Sequence, residues 1–154
     1  MPLDSDSGIN GFAISSEFDF LSRGSNNSRR AKPEGVRRIK SYSAANGYVY
    51  QYCFYEGARA TYEGKPAGEF IYAVSADRKT TFPVRIIVRQ SALLGWAQTN
   101  GRPLSSGEEY AVAKIRLLVA FDEGSIPLTA AKADQTVFLV DESNLETLLE
   151  QLNI

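Results

Sequence analysis

Alternation of apolar and polar positions predicts that residues 36–89 form consecutive β-strands. VRRIKSY is followed by Asn46-Gly47, the strongest short-range signal of a hairpin, and then by YVYQYCFYE. EFIYAVSA comes next, then the polar turn DRKTT, and then FPVRIIVR, where apolar residues occupy every second position. Because Pro83 cannot donate a ladder hydrogen bond, we expect it at the start of a strand or on an edge.

Helical spacing replaces this alternation after residue 89. We predict that Ser91 caps a first helix, which ends at Asn100-Gly101. A second helix ends at Gly124, and its apolar positions recur at helical spacing: Tyr110, Ala113, Leu117, Leu118 and Phe121. Two capping boxes can start it, Ser105 with Glu108 or Ser106 with Glu109.

The C-terminal part of the chain predicts one more strand and a last helix. QTVFLV, residues 135–140, is an apolar run typical of a buried strand. Asp141 or Ser143 can cap the helix that follows. Its leucines follow the i, i+3, i+4, i+7 pattern of a stripe that packs on a partner surface: Leu145, Leu148, Leu149 and Leu152.

Together these elements predict an α+β fold, an antiparallel β-meander of three to five strands with about three helices packed on one face. The 154 residues, 44% apolar and 23% charged, fit one ordinary domain, which we place at residues 35–154. Residues 1–34 are predicted to be an N-terminal arm and flexible linker, because residues 22–35 contain no aliphatic side chain larger than alanine. The arm itself is apolar enough to dock on the body or on a partner, through Phe12, Ile14, Phe18 and Phe20.

The same sequence predicts a soluble, cytoplasmic protein. It has no apolar signal region near its start and no run of roughly 18 apolar residues. Cys53 is the single cysteine, which excludes an internal disulfide and fits a reducing compartment. We expect it to be a small core side chain.

Composition also excludes several classes of catalytic site. The chain contains no histidine, so Ser-His-Asp, Cys-His and zinc-histidine chemistry are excluded, and we predict no catalytic residue, metal site or cofactor. Oxygen-only magnesium or calcium sites stay open, as does an enzyme acting through paired carboxylates. Helix N-termini account for most of the acidic pairs, but Asp122 and Glu123 near a helix C-terminus lack that explanation.

Our leading hypothesis is a non-enzymatic interaction module that binds a protein partner through its sheet face, sheet edge or N-terminal arm. A homodimer through the sheet edge is left open, and no membrane partner is expected. The alternative is a sequence-tolerant nucleic-acid-binding protein that uses a basic segment and a tyrosine-rich strand. Its candidate residues are Arg37, Arg38, Lys40, Tyr48, Tyr50, Tyr52, Arg85 and Arg89.

The nucleic-acid alternative depends on which face of the tyrosine-rich strand is open. Alternation places Tyr48, Tyr50 and Tyr52 on one face and Val49, Gln51 and Cys53 on the other. We expect one of these faces to be wet. If it is the tyrosine face, bases could stack there; otherwise the aromatic stripe packs against the helices.

Overall fold

A computed structural model describes residues 30–31, 38–127 and 136–154 as an α+β protein. The strands are β1 (Arg30–Ala31), β2 (Lys40–Ser43), β3 (Val49–Tyr62), β4 (Lys65–Ser75), β5 (Phe82–Arg89) and β6 (Val137–Val140). The helices are α1 (Gln90–Asn100), α2 (Ser106–Glu123) and α3 (Leu145–Gln151). Predicted binding residues Phe12, Ile14, Phe18, Phe20 and Arg37 lie outside the described residues.

The sheet is mixed and mostly antiparallel. Its strand order is β1-β3-β4-β5-β6, and β2 pairs with β3 beside β1. β2, β3, β4 and β5 are antiparallel neighbours in chain order, whereas β6 lies parallel to β5. The antiparallel prediction is therefore wrong for β6. Two helices separate β5 from β6, and a connection of that length permits the parallel direction.

The main hydrophobic core lies between the helices and the tyrosine side of β3. Tyr50 and Tyr52 are buried there, and α2 contributes Phe121, whose ring stacks on Tyr50 at a centroid distance of 4.5 Å. α1 and α3 also supply buried residues to this core, including Leu93 and Leu149. The predicted leucine stripe of the last helix thus packs on a partner surface within the domain.

The opposite side of β3 is also buried. Cys53 belongs to a second apolar cluster with Ile39, Tyr55, Ile71 and Ala73, and it is only 1% exposed. Our expectation that one face of this strand is wet is therefore wrong. Cys53 is a small core side chain, as predicted.

Helix ends follow the sequence signals at some positions and depart from them at others. Ser105 and Glu108 form the capping box of α2, and Gly124, at φ 73°, ends that helix. α1 instead begins at Gln90, so Ser91 is not its cap. The N-cap of α3 is Asn144, so neither Asp141 nor Ser143 caps it; the carboxylate of Asp141 accepts the N–H of Ser143 in the preceding turn.

The hairpin between β2 and β3 turns at Asn46-Gly47, as predicted, through the three residues 45–47. The N–H of Ala44 donates to the carbonyl of Tyr48 at 2.8 Å, and Gly47 has φ 94°, which glycine adopts without strain. The carboxamide oxygen of Asn46 accepts the N–H of Tyr48 at 3.0 Å. Pro83 is the second residue of β5, ahead of the β6 pairing that starts at Arg85, so its position at a strand start is confirmed.

Candidate binding sites

The predicted tyrosine ladder is part of the core. Tyr50 is 1% exposed and Tyr52 is 6% exposed, whereas Tyr48, near the turn, is 48% exposed. The alternation along β3 was predicted correctly, but its tyrosine side faces α2 and Phe121. A base could not stack on Tyr50 or Tyr52 without displacing α2, so the ladder does not form an open platform.

Arg85 and Arg89 are held by carboxylates on neighbouring strands and turns. Arg85 pairs with Glu69 at 2.6 Å, and Arg89 pairs with Glu63 at 2.5 Å while its guanidinium lies over the ring of Tyr62. Arg85 opposes Ile71 in the β4–β5 register, so it shares the side of the sheet that carries Cys53. The structure does not bring these arginines together with Lys40, which lies on the other side.

A small basic pocket forms where β2 meets α2. Lys40 lies opposite Tyr52 in the β2–β3 register, which directs its side chain toward α2. On α2, Tyr110 and Lys114 are one turn apart and face the same way. With Arg38 they surround a cavity of about 150 Å³, to which Cys53 and Phe54 also contribute. We call this cavity the basic pocket; sequence reasoning identified Arg38, Lys40 and Tyr52 but missed Lys114 and Tyr110.

Two lysines of the basic pocket, Lys40 and Lys114, lie side by side. Burial and then the ammonium of Lys40 lower the pKa of Lys114 below its ordinary value. Among the described residues, no carboxylate forms an ion pair with Lys40 or Lys114. Burial also raises the pKa of Tyr52 to about 12, so its hydroxyl stays protonated at neutral pH. The pocket thus combines two uncompensated cations with tyrosine hydroxyls.

Replacing Lys114 by methionine is expected to stabilise the protein at neutral pH by about 0.5 kcal/mol, a small gain because the site is only half-buried. The lowered pKa means that the unfolded chain holds this proton more tightly, so the charge destabilises the fold below the folded-state pKa. The advantage of Lys114→Met should fade as the pH rises toward the ordinary lysine pKa of 10.5. Thermal unfolding across this pH range measures it.

The matched control for that experiment is Lys79→Met. Lys79 is exposed in the turn between β4 and β5 and contributes only its main-chain N–H to the carboxylate of Asp77. Its replacement should leave the unfolding temperature nearly unchanged at every pH. A Lys114→Met protein that unfolds at or below the wild-type temperature near neutral pH would mean that the half-buried charge of Lys114 does not destabilise the fold.

β2 is an open edge of the sheet. Lys40, Ser41 and Ser43 are exposed, and in the described part of the chain β2 pairs with β3 alone. β6, at the other end of the strand order, is mostly half-buried. Its Leu139 carbonyl accepts hydrogen bonds from the side chains of Arg116 and Asn144, both at 3.0 Å. The β2 edge is therefore the more accessible of the two.

Asp122 fastens the β2–β3 hairpin to α2. Its carboxylate accepts hydrogen bonds from the hydroxyl of Tyr42 and from the N–H of Ala45, both at 2.8 Å. The amide of Asn46 donates to the carbonyl of Phe121 at 3.1 Å. These contacts fix the edge strand relative to Lys114, and they explain why an acid lies in the last turn of α2.

A wider cleft adjoins the basic pocket. It has a volume of about 440 Å³ and lies between the start of α2 and the paired strands β3 and β4. Phe54 and Tyr110, whose rings meet edge to face at 5.1 Å, line both cavities. Gly57 lies directly against the rings of Phe54 and Phe70, since a Cβ there would be in van der Waals contact with both at 3.4 Å. The rim carries one charge of each sign, Arg59 and Glu109.

Two further acidic side chains, Glu108 and Asp141, have identified partners. Glu108 accepts hydrogen bonds from Arg102 and from the N–H of Ser105, and these bonds lower its pKa to about 2. Asp141 is bonded by Ser143, which lowers its pKa. Within residues 38–127 and 136–154, no group of three or more cysteine, aspartate and glutamate side chains is placed to hold a metal ion.

None of the helices in the described residues is long and apolar enough to cross a membrane. No protein-family model, curated protein or solved structure matches the chain.

Proposed function

We propose that the protein is a non-enzymatic interaction module that binds a partner protein by pairing an extended strand of the partner with β2. The open edge at Lys40–Ser43 is the observation that supports this function best. An extended peptide gains affinity from main-chain hydrogen bonds to such an edge and specificity from alternate side chains. In this proposal the helices cover one face of the sheet and the protein works in the cytoplasm, where its single cysteine stays reduced.

The hydrogen bonding of β2 indicates which of its residues would receive the partner. The Ala44–Tyr48 bond sets the alternation of the ladder, so Tyr42 and Lys40 bond to β3 while the main-chain groups of Ser41 and Ser43 point outward. A partner strand would bond to these two serines. Its side chains on the α2 side would lie beside Lys40, so an acidic residue is favoured there and a basic one is disfavoured.

Strand addition predicts that Ser41→Pro weakens partner binding about tenfold or more and leaves the fold intact. Proline removes the outward N–H of Ser41 but none of the bonds to β3, and edge strands tolerate it at such positions. Peptides selected from a random library on the full chain would be measured against the wild type and this variant. We expect at least about a tenfold loss of affinity, the value of one hydrogen bond to the backbone.

Ser41→Ala is the matched control, since it keeps the N–H and should bind like the wild type. Peptides that bind Ser41→Pro as tightly as the wild type would refute strand addition at β2. A wild-type protein that sediments as a dimer while Ser41→Pro sediments as a monomer would identify the added strand as β2 of a second copy.

Sequence-tolerant nucleic-acid binding is a second candidate, supported by the exposed Arg38 and the uncompensated pair Lys40 and Lys114. It would rely on phosphate contacts, because Tyr50 and Tyr52 are buried. Fluorescence anisotropy with single-stranded and double-stranded DNA and RNA tests it. Binding that weakens steeply with salt, and less steeply in Lys40→Glu, would favour this candidate. Absence of binding at low salt would eliminate it.

A further inference from the structure

The basic pocket places two lysine side chains, those of Lys40 and Lys114, next to each other. Lys40 and Lys114 lie close enough that one disfavours the charge of the other, and no described carboxylate forms an ion pair with either. Arg89, on the other side of the sheet, is instead paired with Glu63 and lies over the ring of Tyr62. Two adjacent cations in a recess between a strand and a helix form an arrangement suited to a multiply charged anion.

We propose that the basic pocket binds the terminal phosphoryl group of a phosphate monoester carried by a side chain of the partner protein. Lys40 and Lys114 would supply the compensating charge, and Tyr52 and Tyr110 line the wall beside them. The phosphoryl group would enter from the β2 edge, where Lys40 is exposed.

Charge and shape select this ligand class. A phosphate monoester carries about −1.5 to −2 at neutral pH and three acceptor oxygens, which matches two ammonium groups. A carboxylate carries a single charge and would leave one lysine uncompensated. A phosphodiester also carries a single charge and continues on both sides, whereas a cavity of about 150 Å³ suits a group that ends inside it.

The inference deepens the proposed function by naming the chemistry of the partner, yet the two can be tested apart. Strand addition depends on the outward main chain of Ser41 and Ser43, and phosphoryl binding depends on side chains that point toward α2. A small phosphate monoester can reach the pocket without any peptide. Loss of one activity therefore does not imply loss of the other.

The test is an NMR titration of the ¹⁵N-labelled full chain with phenyl phosphate, compared with benzoate and dimethyl phosphate. We expect phenyl phosphate to shift the amide signals of Lys40, Tyr52, Tyr110 and Lys114 with a Kd in the millimolar range or tighter, and to bind more tightly than the other two. Lys40→Gln and Lys114→Gln should each weaken it about tenfold or more, the value of one charge-assisted hydrogen bond. Lys79→Gln, in the exposed turn after β4, should leave the affinity unchanged.

Three results would overturn the inference. The first is the absence of shifts at these residues at about 10 mM phenyl phosphate, since a millimolar Kd would be visible there. The second is equal binding of phenyl phosphate and benzoate. The third is binding of single-stranded DNA with a steep salt dependence while phenyl phosphate leaves the pocket unchanged, which would assign the cations to a nucleic-acid backbone.

Discussion

Replacing Phe121 by alanine is expected to lower the free energy of unfolding by about 3–5 kcal/mol. The Phe121 side chain is fully buried and stacks on Tyr50 with an interplanar angle of 8°. Its ring centroid also lies 5.8 Å from the rings of Tyr42 and Tyr52. Alanine would remove the apolar surface that joins β2 and β3 to α2 and would leave a cavity that the stacked tyrosines cannot close.

Urea unfolding, followed by circular dichroism, measures this effect, and Tyr48→Ala is its control. Tyr48 belongs to the same row of β3 and its ring lies 6.2 Å from that of Tyr50, but it is 48% exposed. Its replacement should change the stability by no more than about 0.5 kcal/mol. Should the alanine variant fail to fold, Phe121→Leu would report a smaller loss at the same site. Equal losses at positions 48 and 121 would contradict the burial of the stripe against α2.

The contrast between Tyr48 and Tyr50 shows what the sequence could predict about β3. A period of two places both tyrosines on one face, and the structure agrees. The sequence could not show whether that face is wet, because a tyrosine has an apolar body that suits a core and a polar tip that suits a surface. The tyrosine face is buried because Phe121, about 70 positions away along the chain, packs against it.

The sequence could not predict the direction of β6 for a similar reason. The apolar run at Val137–Val140 predicts a strand, but a short run has the same pattern whether its neighbour is parallel or antiparallel. Direction depends on where the chain re-enters the sheet after α2. The parallel pairing with β5 joins residues about 50 positions apart, such as Arg85 and Val137, and the spacing of apolar residues within one segment carries no information about it.

The basic pocket illustrates the same limit for a binding site. Lys40 was identified because it follows other cations in a short segment, and Lys114 was missed because a single lysine in a helix usually points to solvent. One signal was available. Tyr110, Lys114, Leu118 and Asp122 recur every four residues and so share one side of α2. Two members of that row, Lys114 and Asp122, are charged, although apolar side chains alone would be enough to pack the helix on the sheet. Both contact the β2–β3 hairpin.

Asp122→Ala is expected to lower the free energy of unfolding by about 2–3 kcal/mol, since hydrogen bonds to a charged acceptor contribute about 1.5–3 kcal/mol each. The variant loses the bonds from the Tyr42 hydroxyl and the Ala45 N–H. The chain offers a close control in the neighbouring Glu123, which is exposed in the same helical turn. Glu123→Ala should leave the free energy of unfolding nearly unchanged, and urea unfolding of the two variants measures the difference.

A double-mutant cycle with Tyr42→Phe isolates the side-chain part of this contact. Tyr42→Phe removes the hydroxyl but keeps the ring that lies 5.8 Å from Phe121, so it should lower the free energy of unfolding by less than Asp122→Ala does. Its effect should largely disappear in the Asp122→Ala background.

Hydrogen exchange at the amides of Tyr42 and Ala44 tests whether Asp122 also holds the proposed binding edge in place. Because Asp122 holds the hairpin against α2, its removal should speed exchange at these amides more than at the β4–β5 pairing. Unchanged exchange in β2, together with independent effects of the two substitutions, would mean that the edge strand is held by β3 alone.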